Sequence, residues 1–257
     1  MSVDIGYDVH GRVEAPVLVL ASSIGTLPGM WAPQLAAFAE HFRVVRVAHR
    51  GHLADREVPP GPYSMADLGG DVLALLDGLG VGRFSFCGLS LGGMVGMWLG
   101  SHAADRVERL ALCCTSARLP PAQGWHERAA AVRADGMAAV TEGSLQRWFT
   151  PGFADEQPAV VQRCRDMLLS VPPEGYAGCC EAIAGMDLRA DLAAVTAPTL
   201  VLSGGEDPTT TVEHTGPVAA AITGARHVVV PGVAHLATVQ DPETTTPLLL
   251  DHLLDRA

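Results

Sequence analysis

Short apolar runs alternate with amphipathic stretches through the first part of the chain. Pro16–Leu20, Arg43–Val47, Arg83–Cys87 and Val107–Cys113 are the runs. Compact apolar segments of this kind match strands covered on both faces, as in parallel sheets. Between them, Met30–His41, Met65–Leu79 and Leu91–His102 carry helical spacing. Met65–Leu79 is the clearest, with Leu68, Val72, Leu75, Leu76 and Leu79 forming an apolar stripe. Repeated strand–helix alternation predicts an α/β protein with a doubly wound, mostly parallel sheet. Ligands of such sheets bind beyond the carboxyl ends of the strands.

The alternation then stops. Residues 118–185 are helical in pattern, with Pro120-Pro121 at the start and Pro172-Pro173 late. Strand character returns at Pro198–Leu202 and Ala225–Val230, and a closing helix is expected over about 241–254. We therefore read 1–117 and 186–257 as the sheet core, and 118–185 as a helical cap insertion over the sheet edge.

Composition narrows the function classes. The chain has 257 residues, 48% hydrophobic and 18% charged, which excludes disorder and allows a substantial core. The net charge of −11, with no Lys or Arg run, argues against nucleic acid and membrane partners. Met1–His10 carries acids and no long apolar run, so it does not read as a signal peptide. No apolar stretch approaches the roughly 20 residues of a membrane span. Cys87, Cys113, Cys114, Cys164, Cys179 and Cys180 include two adjacent pairs, awkward for a disulfide framework. Reduced thiols in a cytoplasmic protein are the expectation. Cys and His show no metal-ligand spacing, so no metal is expected.

Chemistry concentrates at Gly88-Leu89-Ser90-Leu91-Gly92. Gly-x-Ser-x-Gly alone is a weak signal, but here it follows a predicted strand and opens a predicted helix, as a nucleophile elbow does. A glycine-rich helix start that packs closely or holds a phosphate is the plainer alternative. A serine nucleophile needs a base, and the base an orienting acid, in the chain order Ser, acid, His for this arrangement. Asp207 and His235 each fall just after a predicted strand. Glu206 is the rival acid. Read singly, Asp207 is a turn former and His235 a helix-entry residue; their joint order points to a triad with Ser90. Backbone N–H donors for a developing oxyanion are expected at Leu91 and at Ile24, in the Ser22–Thr26 loop. His49 and His52 flank Arg50-Gly51 and read as solvated loop residues or pocket rim. His10, His41, His102, His227 and His252 read as surface or helix-end residues, and Cys113 and Cys114 as inert buried thiols.

These residues resemble a known family. Phe86–Leu99, around the elbow, is similar to the 3-oxoadipate enol-lactonases of the β-ketoadipate pathway, within the α/β-hydrolase superfamily. Ser22–Thr26 with Met30, Trp31 and Gln34, Gly61–Ser64, and Leu68–Val72 are also similar. The cap motifs are more specific: Ala131–Arg133, Gly136-Met137, Arg147–Pro151, Pro172–Tyr176 and Cys179–Ile183. Two departures stand out. Relatives usually carry Asp-x-Arg-Gly-His-Gly-x-Ser where this chain has His49–Asp55, which predicts a reshaped turn. Ser22 stands where relatives more often have Asn.

The resemblance implies an α/β-hydrolase fold and a cofactor-free hydrolysis of 3-oxoadipate enol-lactone by Ser90, His235 and Asp207 through an acyl-enzyme. Because that lactone carries a free acetate arm, the implied partner is a small anionic substrate. A local cation on the cap is then expected, and Trp125 with Arg128 is the favoured substrate-binding pair over Arg133, Arg147 or His126. A general carboxylesterase, a perhydrolase, or a ligand receptor on a hydrolase scaffold are the other readings.

Overall fold

The computed structural model describes residues 4–256; Met1–Val3 and Ala257, part of the expected core and of the Met1–His10 stretch, lie outside them. β1 (Tyr7–His10) leads to β2 (Val17–Ala21), α1 (Ala32–Ala39), β3 (Arg43–Val47) and α2 (Met65–Gly78). Then follow β4 (Phe84–Leu89), α3 (Leu91–His102) and β5 (Val107–Cys113). The expected Met30–His41 helix is split: a 3-10 turn over Pro28–Trp31 precedes α1. α2 starts where Ser64 and Asp67 form a reciprocal capping box. The sheet order is β1-β3-β2-β4-β5-β6-β7, with β6 (Thr199–Gly204) and β7 (Arg226–Val230) completing it. All pairs are parallel except β1 with β3. This is the doubly wound, mostly parallel sheet of an α/β-hydrolase fold.

β4 is buried along its whole length, which is why its sequence is uniformly apolar or small. β1 was not legible because it is a short antiparallel edge strand with alternating exposure and polar residues. Asp8 on it receives two 2.8 Å hydrogen bonds from Arg46 of the adjacent strand.

Between β5 and β6 the chain forms α4 (Ala122–Asp135), α5 (Ala138–Trp148), α6 (Pro151–Glu156), α7 (Pro158–Ser170) and α8 (Pro173–Gly185). This helical segment is tied to loops at the carboxyl ends of the strands. The Tyr63 N–H donates to the Gly178 carbonyl at 3.4 Å, and the Leu236 N–H to the Trp148 carbonyl at 3.0 Å. α9 (Val212–Ala221), α10 (Ala237–Gln240) and α11 (Pro242–Leu253) complete the fold. α9 was also missed; it carries Gly216 and Pro217 internally, which blur its helical signal. Among the described residues no helix is long and apolar enough to cross a membrane.

Glycines decide how closely α3 meets the sheet. A Cβ on Gly92 would sit 2.2 Å from the Ala21 carbonyl oxygen, against backbone that cannot yield. In α2, a Cβ on Gly70 would meet nothing within 4 Å. Gly92→Ala is expected to cost on the order of 3 kcal/mol, whereas Gly70→Ala should stabilise by about 0.5–1 kcal/mol. Urea unfolding of the two variants checks the contrast, and equal effects would contradict it.

Candidate active site

Ser90 sits between β4 and α3 with φ 56 and ψ −113, a strained conformation for a non-glycine residue. Its N–H donates to the Cys113 carbonyl at 2.9 Å, and its carbonyl accepts from the Thr115 hydroxyl at 2.8 Å. The turn is thereby anchored on the β5 side. Gly88 is required because a Cβ there would meet the Gly92 carbonyl oxygen at 2.2 Å.

Asp207 follows β6 and His235 follows β7, on neighbouring turns at the same sheet edge. The His235 Nδ1–H donates to Asp207 Oδ2 at 2.8 Å, and among the described residues Nε2 makes no hydrogen bond. Asp207 also accepts from the Thr209 and Thr210 N–H groups, at 2.7 and 3.1 Å, and from the Thr210 hydroxyl at 2.7 Å. Burial alone would raise the Asp207 carboxyl; the His235 charge and these donors outweigh it and hold it below its ordinary value. Glu206, the rival acid, is exposed. Ser90, Asp207 and His235 are 4%, 4% and 2% exposed, so bulk water has little access to them.

The loop after β2 holds its shape through groups distant in sequence. Its Ser22 carbonyl accepts from the Gly92 N–H at 3.0 Å and from His49 Nε2–H at 2.7 Å. The Gly25 N–H donates to His52 Nε2 at 3.1 Å. Ser22 itself, despite replacing the Asn usual in relatives, donates its hydroxyl to the Leu27 carbonyl at 3.2 Å. Among the described residues the Ile24 and Leu91 N–H groups have no acceptor.

His49 and His52 are thus not solvated loop residues. They are 6% and 1% exposed. Burial lowers the His49 pKa to about 4, against its bond to Ser22; burial and then the neighbouring His49 lower that of His52 to about 3. Arg50 between them grips both oxygens of buried Asp71 at 2.6 Å. Their spacing alone carried no sign of burial, since the partners lie on the β2 loop and α2. His227 and His252 are also half-buried, bonded to Ser203 and to the Leu110 carbonyl. All six cysteines are free and buried. Among the described residues no group of three or more His, Cys, Asp or Glu side chains could hold a metal ion.

On the helical segment, Trp125 is half-buried and its indole N–H donates to the Leu119 carbonyl at 3.0 Å. Arg128 lies 5.8 Å from the Trp125 ring centroid and donates to the Tyr176 hydroxyl and Ser144 Oγ, each at 2.6 Å. Arg133 is committed elsewhere, to Glu174 and Glu181, and His126 is exposed.

The family described as alpha/beta hydrolase fold matches residues 16–242. The chain is 40% identical over 210 residues to 3-oxoadipate enol-lactonase 2 of Acinetobacter baylyi, covering 82% of this chain and 78% of that one. It is 34% identical to 3-oxoadipate enol-lactonase 1 of the same organism, covering 93% and 89%. The crystal structure of the enol-lactonase from Burkholderia xenovorans LB400 superposes with a TM-score of 0.95 at 40% identity, covering 99% of each chain.

The buried histidines set an acid limit on stability. Unfolded imidazoles take up protons near pH 6.5, whereas His49 and His52 resist until about pH 4 and 3. Stability is therefore fully present above about pH 6.5 and falls as pH drops toward 4, by on the order of 3 kcal/mol per histidine. Urea unfolding from pH 7.5 to 4.5 should show this fall, with a flatter profile in the His49→Gln/His52→Gln variant. Equal slopes in both proteins would contradict it.

Proposed function

Since the chain belongs to the 3-oxoadipate enol-lactonase family of alpha/beta hydrolases, we propose that Ser90, His235 and Asp207 hydrolyse 3-oxoadipate enol-lactone to 3-oxoadipate. The protein is a hydrolase acting on a lactone ester. The observation that carries the triad reading is the buried 2.8 Å His235–Asp207 hydrogen bond, at the sheet edge where the strained Ser90 turn lies.

Ser90 Oγ attacks the lactone carbonyl carbon while His235 Nε2 takes the hydroxyl proton. Asp207 keeps the proton on Nδ1 and stabilises the imidazolium that forms. The Ile24 and Leu91 N–H groups receive the oxyanion of the tetrahedral intermediate. The ring C–O bond then breaks, and His235 returns its proton to the departing enol oxygen. An enol leaves more readily than an alkoxide, so modest acid help is enough. Water attacks the acyl-enzyme as His235 takes its proton, and collapse releases the carboxylic acid and restores Ser90. The freed enol tautomerises to the ketone. Every proton needed is supplied by water or His235, so the route calls for no metal or other cofactor.

The helical segment acts as a cap, where Trp125 and Arg128 hold the acetate arm of the substrate. A protein of net charge −11 repels an anion at long range, so a local guanidinium must offset the field. The six free, buried thiols suit a reducing cytoplasm.

Loss of enol-lactone absorbance with purified protein, measured beside an aryl ester, separates this reading from a general carboxylesterase. Ser90→Ala should retain its fold by circular dichroism and lose on the order of 10⁴-fold or more in turnover. Asp207→Asn should lose about 10⁴-fold, through the wrong imidazole tautomer. A folded Ser90→Ala protein of near-wild-type rate removes the assignment.

A further inference from the structure

The paired helices α4 and α5 hold positive charge that the structure does not neutralise. Arg133 and Arg165, on the same helical segment, both contact glutamates. Arg128 and Arg147 differ: among the described residues neither has a carboxylate in contact. Arg128 donates only to neutral oxygens, on Tyr176 and Ser144. Arg147 makes no hydrogen bond among the described residues. Ser144 and Arg147 are three residues apart on α5 and so share a face. The contact from Arg128 to Ser144 therefore brings the Arg128 guanidinium to the face of α5 that carries Arg147. Arg147 registers that proximity: burial, and then the charge of Arg128, lower its affinity for a proton.

The cluster borders the candidate oxyanion loop. Tyr176 is fully buried, and a Cβ on Gly25 would come within 2.9 Å of its ring. The same tyrosine receives Arg128 through its hydroxyl. Two half-buried like charges without a counter-charge repel each other in a medium that screens poorly. A carboxylate removes the conflict, and planar guanidiniums match its two oxygens better than an ammonium would.

We propose that Arg147 joins Arg128 in a two-guanidinium subsite that binds the carboxylate of a ligand, making Arg147 a specificity-determining residue for acid-bearing lactones. The identity of that acid rests on the enol-lactone reading; the subsite itself does not. A neutral ester gains nothing from it, whereas a ligand with a carboxylate a few carbons from its reacting carbonyl is held and oriented.

Isothermal titration of the full protein with adipate, a saturated six-carbon dicarboxylate, tests this without turnover. Wild type should bind adipate and not the neutral diamide. Arg147→Met should weaken binding by about 10-fold or more, as expected for a lost charged hydrogen bond, with Arg147→Lys in between. Arg163→Met, at an exposed arginine of α7, should bind as wild type. Thermal melting establishes that each variant is folded, and Arg147→Gln replaces Arg147→Met if the latter is not. No adipate binding to wild type, or equal affinity in folded Arg147→Met, overturns the subsite. Enol-lactone turnover measured in parallel keeps the two readings apart. Adipate binding that needs Arg147 in a protein inert toward the lactone would sink the substrate and leave the subsite standing.

Discussion

The contact of Gly92 with the end of β2 governs the geometry around Ser90. With no side chain, Gly92 lets α3 come so close that its N–H reaches the Ser22 carbonyl at 3.0 Å. That single contact sets the loop after β2 and the start of α3 at a fixed separation. The Ile24 and Leu91 N–H groups lie on those two segments, so the same contact sets their spacing. The strain at Ser90, on the order of 1–3 kcal/mol for such a backbone, persists because Cys113 and Thr115 hold the turn from the next strand.

A second layer supports the first. His49, Arg50 and His52 leave β3 as a buried polar hub, two histidines gripping the β2 loop and the arginine gripping Asp71 of α2. Neutral imidazoles suit this role, since each supplies one donor and one acceptor and carries no charge to desolvate. His49 reaches the Ser22 carbonyl directly, at 2.7 Å.

The helical segment connects this scaffold to charge. Its carbonyls at Gly178 and Trp148 accept hydrogen bonds from Tyr63 and Leu236, in the loops after β3 and β7. Ser90, Asp207 and His235 are little exposed, which gives a weakly screening environment in which oriented hydrogen bonds act strongly. The same lack of screening makes the Arg128 and Arg147 charges consequential, because a guanidinium pair in open water would attract little.

Local signals read well from the chain. The apolar runs of β2 to β7, the stripe of α2 and the Gly-x-Ser-x-Gly turn each record a requirement of a few neighbouring residues, and each stands where its pattern predicts. β1 and α9 escaped because an exposed edge strand lacks an apolar run and a helix containing Pro217 lacks a clean period. The sequence by itself determined the fold class and set Asp207 and His235 each just after a strand, since both readings follow from strand–helix alternation. Only the tertiary structure decided that Asp207 and not Glu206 meets His235, that His49 and His52 are buried, and that Arg133 is paired with Glu174 while Arg128 reaches Ser144 on the face of α5 that carries Arg147. The physical reason is that pairing and desolvation depend on partners brought together from distant parts of the chain, and no spacing within one segment encodes them.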